Sequence, residues 1–255
     1  MIDKNIIEKN FSRYAECYDR YSSIQNMCAS ELISRVAIDN AAKILDVGCG
    51  TGNYTKLLKD KFPSAQIKAV DISANMVDMA RKKLLQENIE FIVADAEKSD
   101  FKEKFDLISS NAAYQWFEDL KNTLSRYKDM LNEGGFISFS IFGPLTFCEL
   151  NASLKESIGK DISLNSSSFL SRRSLANLMK NHFRDVEVKE KIYREKYSAL
   201  PELIRKIKCT GTRGSGLERD NFWTPGQMRN LERIYKEKFK GITATYQVFF
   251  CRGIK

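Results

Sequence analysis

The run ILDVGCGTGNYTKLL, residues 44–58, restricts the fold of this chain more than any other stretch. An apolar segment breaks into glycines at alternate positions and resumes as an amphipathic pattern, which reads as a buried strand, a tight turn and a helix. Glycines at positions 48, 50 and 52 carry a conformational-entropy cost that a simple turn would not require. They let backbone N–H groups approach a ligand at a helix N-terminus, where negative charge is favoured. A dinucleotide fingerprint would place its third glycine at Asn53, so a nicotinamide cofactor is the weaker candidate.

The pattern around this turn repeats. Apolar runs at 43–48, 66–72, 89–95, 105–111 and 135–142 read as strands, and amphipathic stretches at 52–62, 74–86 and 120–131 read as the helices between them, with Ser73 placed to cap the second. Strand and helix in alternation imply parallel strands covered on both faces. Residues 5–37 read as helical, with Ile6, Ile7, Phe11, Tyr14, Tyr18 and Tyr21 at helical spacing. After Phe142 the rhythm changes: 145–182 is mainly helical, 186–197 alternates as a strand, and 199–211 is helix-like. A glycine-rich turn (Gly211, Gly214, Gly216), a helix from about Thr224 to Lys240 and a strand at 243–254 close the chain. With no linker, the expectation is one domain: a helical segment over 1–40, a core over 41–142, a helical insertion with the sixth strand over 143–242, and a last strand over 243–255.

Composition narrows the function classes. Apolar runs are interrupted by charges well short of a membrane span, and the first residues have no apolar leader core, so the chain is expected in the cytoplasm and off the membrane. Six scattered cysteines and the single His182 offer no clustered ligands, so no metal site is expected and the thiols read as reduced. The net charge of +8 favours acidic partners. A nucleic-acid partner is not expected, because no interleaved basic and aromatic groove or RNA-binding module is recognisable.

Carboxylates and an amide punctuate the strand ends: Asp71 ends the second, Asp95 follows the third and Asn111 ends the fourth, while Asp46 lies in the first. Neighbouring parallel strands converge on one crevice at these tips, and a carboxylate at the second tip can accept hydrogen bonds from both hydroxyls of a ribose. LDVGCGTG, AVDIS, VADAE and DLISSNAAYQWFEDL together resemble the motifs of class I S-adenosylmethionine-dependent methyltransferases. The resemblance implies a seven-stranded Rossmann-like α/β sheet with helices on both faces, an N-terminal helical lid and a helical insertion after the fifth strand. It places the turn of Gly48, Cys49, Gly50 and Gly52, with Asp46 before it, under the amino-acid part of S-adenosylmethionine. Asp71 and Ile72 would hold the ribose, Asp95 and Ala96 bracket the adenine, and Asn111 and Ala112 line the floor near the sulfonium.

The acceptor must be read from the flanks. NFSRYAECYDRYSSIQ, SNAAYQWFEDL, FSIFGPLTFCEL and LIRKIKCTGTRG resemble, in order, the malonyl-[acyl-carrier protein] O-methyltransferases of biotin synthesis. That resemblance implies methylation of the free carboxylate of malonyl-acyl carrier protein, or malonyl-coenzyme A, to its methyl ester. The alternative is a free small carboxylic acid such as an aconitate-like compound. Either acceptor is ionised at neutral pH and needs no general base. Tyr18, Tyr114, Gln115 and Trp116 are the candidates for the lid and acceptor slot, with core packing as the competing reading for the tyrosines. Arg172, Arg173, Arg205, Lys206 and Lys208, with Arg213, read either as a solvated face or as a basic rim for an acidic carrier protein or the malonyl carboxylate.

Overall fold

The computed structural model describes residues 3–158, 164–210 and 224–255. The expected strands form one sheet of seven in the order β3-β2-β1-β4-β5-β7-β6, with β1 Lys43–Val47, β2 Gln66–Asp71, β3 Ile89–Val93, β4 Phe105–Asn111, β5 Leu131–Phe142, β6 Arg184–Tyr197 and β7 Ile242–Ile254. The first five are parallel, and β7 runs antiparallel between β5 and β6. Strand order reverses between β1 and β4, the switch point at which α/β sheets hold ligands.

Helices cover both faces, as expected of a parallel sheet. On one face α2 (Ser23–Arg35), α6 (Cys148–Ser157), α8 (Leu200–Cys209) and α9 (Pro225–Phe239) share a core with Ile44, Leu107 and Val248. On the other, α5 (Leu120–Met130) and α7 (Arg172–Lys180) bury Leu124, Tyr127, Leu175 and Met179 against Leu45, Ile108 and Phe249. Ser73 caps α4 (Ala74–Lys83) by accepting from the Met76 N–H.

The stretch read as helical over 5–37 is helical up to Arg35. It is two helices, α1 (Lys4–Tyr21) and α2, broken at Ser22, whose φ of −87° and ψ of 26° leave the helical path. The break lets α1 lie over α4 and α8 while α2 packs on α3 (Asn53–Lys61) and the sheet. Gly211, Gly214, Gly216 and Arg213 lie outside the described residues.

Candidate functional site

The turn after β1 is built as its glycines suggest. Gly48, Gly50 and Gly52 all take positive φ (72°, 54° and 84°). A Cβ on Gly48 would lie 2.3 Å from that of Ala113, and one on Gly52 would press on Ala80 of α4 at 3.2 Å and on Leu84, just after that helix, at 3.1 Å. A Cβ on Gly50 would meet nothing within 4 Å. Gly48 and Gly52 are therefore fixed by packing, whereas Gly50 faces open space.

That space is a cavity at the C-terminal ends of β1 to β4, the place where α/β sheets hold ligands. Gly48, Gly50, Asp71, Ile72, Asp95, Ala96, Asn111 and Ala112 line it, so the structure brings together most of the residues expected to hold a cofactor. Asp71 is anchored by the N–H groups of Gly50 and Ser73, which donate to its two oxygens at 2.9 Å each. Burial pushes its carboxyl up, and these backbone donors oppose the rise. Asn111 is held from both sides: its amide donates to the Gln25 carbonyl (3.0 Å) and its oxygen accepts from the Ser140 hydroxyl (2.7 Å). Ala112 follows with φ of 55°.

Helix α1 closes the cavity with Ile7, Phe11 and Tyr18. Three sets of contacts fasten it. Lys4 Nζ donates to both oxygens of Asp95 (2.6 and 2.7 Å) and pairs with Glu97. The Ser12 and Ser73 hydroxyls lie 2.8 Å apart. Near the other end Asp19 accepts from Thr51 (2.6 Å), Asn53 (3.0 Å) and Lys83 (2.6 Å), bonds that hold its carboxyl low against the opposing effect of burial. Burial and the nearby Asp71 raise the Tyr18 phenol, so it stays protonated at neutral pH and can donate a hydrogen bond. Lys4 was missed from sequence because its partners lie 91 and more residues away. Phe11 stood in the visible helical stripe.

Residues 114–116 form a single 3-10 turn, and its three residues per turn send the side chains in three directions. Of these three residues, only Trp116 reaches the cavity at the strand ends. Tyr114 is core: its ring packs on Phe117, Tyr127 and Phe139, and it lines no part of that cavity. The Gln115 amide donates to the Ala112 carbonyl at 2.5 Å, so it braces the floor without shaping the slot. Asp46, Cys49 and Gly52 do not line the cavity either. Asp46 is fully buried in the central strand β1, accepts from the Thr55 hydroxyl at 2.6 Å and has its carboxyl pushed up to about 7 by burial.

A second, narrow void adjoins the first and shares Trp116 with it. Its walls come from the end of β5 and the following loop (Phe142, Thr146, Phe147), from residues 164–169, from Ile207 of α8 and from Tyr246 of β7. Phe11 and Phe169 meet the Trp116 ring edge-on at 6.4 and 5.7 Å.

The basic residues expected as one rim divide. Arg172 and Arg173 are exposed on α7, on one face of the sheet, whereas Arg205 and Lys208 lie on α8, on the other. Lys206 is no free contact: it is 7% exposed, and its ammonium pairs with Glu195, donates to Ser23 Oγ and lies over the rings of Tyr197 and Tyr246. Helical spacing had signalled this, since Lys206 follows Leu203 by three positions and precedes Thr210 by four, both buried. His182 lies just beyond α7 and lines neither cavity. Among the described residues no cluster of three metal-capable side chains occurs, and no helix is long and apolar enough to cross a membrane.

Comparison with known proteins agrees with this geometry. A family profile described as "Methyltransferase domain" matches residues 44–135. The chain is 33% identical to a malonyl-[acyl-carrier protein] O-methyltransferase of Acetivibrio thermocellus, over 100% of this chain and 95% of that protein. It is also 33% identical to the protein of the same name from Bacillus anthracis, over 98% and 97% of the two chains. Among solved structures, the YcgJ protein of Bacillus subtilis matches with a TM-score of 0.63 at 15% identity, covering 90% of this chain and 98% of the other. Haemonchus contortus phosphoethanolamine N-methyltransferase 2, solved with S-adenosyl-L-methionine, matches with 0.59 at 19% identity, covering 94% and 56%. Both are likenesses of fold.

Proposed function

The chain belongs to the malonyl-[acyl-carrier protein] O-methyltransferase family, and from that premise we propose that it methylates the free carboxylate of a malonyl group carried as a thioester on an acyl carrier protein. The enzyme class is S-adenosylmethionine-dependent methyl transfer. A fold alone names no acceptor. The observation that carries the reading is that the 33% identity runs over the whole of this chain, including the elements after Phe142 that build the second cavity.

The residues present fit the cofactor. Gly50 leaves a space that a side chain would fill, and Asp71 stands at the tip of β2 with its orientation fixed by two backbone donors. Asp71 would hold the ribose hydroxyls, Asp95 and Ala96 the adenine, and Asn111 and Ala112 the sulfonium end. When bound there, S-adenosylmethionine would supply an electrophilic methyl for a carboxylate oxygen, with the C–S bonding pair leaving on sulfur and no proton to be moved. The chain's own task is alignment and exclusion of water. Helix α1 serves the second purpose by covering the cavity with Phe11 and Tyr18. The absence of a required base accords with a protonated Tyr18 and with His182 placed away from both cavities. Arg205 and Lys208, on either side of the cavity-lining Ile207, offer a basic approach for an acidic carrier.

A mass-spectrometric methyl-transfer assay tests the reading on malonyl-acyl carrier protein, malonyl-coenzyme A and free small diacids, with Asp71→Ala as the inactive control. Rapid methylation of the carrier-bound malonyl group, lost in the variant, supports it. Methylation of a free acid alone overturns the carrier assignment and favours the aconitate-like alternative.

A further inference from the structure

We propose that the second cavity receives the acyl end of the acceptor, a short carboxyl-terminated chain, with Trp116 as the wall it shares with the cofactor and Phe147 as the gauge of chain length. The inference rests on the carboxyl-methylation reading above and deepens it.

Position is the first support. Trp116 lines both cavities, and the cofactor cavity there also includes Asn111 and Ala112, where the sulfonium end is assigned. An acyl chain seated in the second cavity therefore brings its carboxylate past the edge of Trp116 to the reacting methyl. Trp116 is 7% exposed and its indole N–H has no hydrogen-bond partner in the structure. A buried donor of this kind is costly unless something accepts from it. The acceptor carboxylate is such a group. A neutral N–H orients its oxygen without the tight ion pair that would stabilise the ground-state anion more than the transition state.

Backbone strain is the second support. Phe147 takes φ 59° and ψ 30°, a left-handed conformation rare for a bulky side chain. Its N–H donates to the Thr245 carbonyl at 2.7 Å, and its ring meets Tyr246 edge-on at 4.9 Å. Such conformations persist where the surroundings over-determine them, and they concentrate at functional sites. The pattern holds here: of the four described non-glycine residues with positive φ, Ala112 lines the cofactor cavity and Phe147 the second one. The strained turn places a rigid ring where Phe142 and Tyr246 already narrow the void, which suits a chain of few carbons.

Chain-length preference tests this with malonyl, succinyl and glutaryl thioesters of the carrier protein. Phe147→Gly suits the left-handed backbone and removes the ring. It is expected to raise kcat/KM for the longer chains relative to malonyl by about tenfold or more, the scale of one or two methylenes in an apolar pocket, with S-adenosylmethionine affinity unchanged. Phe147→Leu, which keeps most of the packing, shifts the ratio the same way by less. Trp116→Phe keeps an aromatic ring, loses the N–H and raises the acceptor KM by more than it weakens S-adenosylmethionine binding, because the residue lines both cavities. An unaltered chain-length ratio in both Phe147 variants, or a parallel loss of cofactor binding, overturns the proposal. Wild-type enzyme active only on free acids counts against the carrier reading alone; the same ratio is then measured on malonate, succinate and glutarate, with the same two outcomes.

Discussion

A Cβ at Gly50 would enter the cofactor cavity without touching the protein, whereas one at Gly48 would overlap that of Ala113 at 2.3 Å. The two glycines should therefore fail differently. Gly50→Ala is expected to fold with a loss of about 1–2 kcal/mol from its positive φ, and to bind S-adenosylmethionine at least about tenfold more weakly, because a methyl group stands where the ligand must approach. Gly48→Ala should lose more stability, about 2 kcal/mol or beyond, from strain and overlap together. Thermal melts and cofactor titration of both variants separate the effects. Asp46 gives a second test. Its folded carboxyl titrates near 7 and its unfolded one near about 4, so between these values the folded state keeps a proton that the unfolded state has released. Asp46 therefore lowers stability as pH rises through that window, and its effect levels off above it. Asp46→Asn removes the effect, and the stability of the variant relative to wild type should grow by up to a few kcal/mol from pH about 4 to about 7 in denaturant titrations. Gly50, Asp71 and Asn111 were legible in the sequence because a turn and two strand tips are local features. The burial of Asp46 was concealed, since a central parallel strand is covered on both faces and offers no polar side for its carboxylate.

Helix α1 is fastened by polar contacts at its ends more than by deep burial; only Ile7 and Ala15 are buried in it. Such an element belongs to the low-stability end of a fold and suits a lid. Asp19→Ala removes the acceptor shared by Thr51, Asn53 and Lys83. Amide exchange over residues 4–21 should then quicken, and the KM for S-adenosylmethionine should rise by about threefold to tenfold with a smaller change in kcat. Unchanged exchange in that helix would mean that its seat does not depend on the Asp19 contacts. The amphipathic pattern of α1 was readable from its aromatic spacing, but the break at Ser22 was not, because no proline or glycine marks it and the Ser22 side chain makes no cap to the next helix. The 3-10 turn at 114–116 was equally hidden: three adjacent residues of similar chemistry point to the core, to a backbone carbonyl and to the cavities.

Across the whole molecule the two cavities join parts of the chain that no local pattern connects. Trp116, Phe147, Ile207 and Tyr246 come from four separate segments, so the acceptor pocket could be approached from sequence only through family resemblance. The basic residues illustrate the same limit, because composition shows a charge of +8 but not that Arg172 and Arg173 lie on the opposite face from Arg205 and Lys208. If the α8 pair steers an acidic carrier, raising salt from about 50 to about 300 mM should lower kcat/KM several-fold for the carrier-bound malonyl group and much less for malonyl-coenzyme A. Arg205→Glu combined with Lys208→Glu should abolish that difference. The central claim is that a methyl group reaches a malonyl carboxylate oxygen. It is tested most directly by supplying S-adenosylmethionine with a carbon-13 methyl and locating the label in the product by NMR. The account predicts a methoxy carbon coupled through oxygen to the terminal carbonyl of carrier-bound malonate. A label on the malonyl α-carbon, or on no carrier-bound group at all, would contradict it.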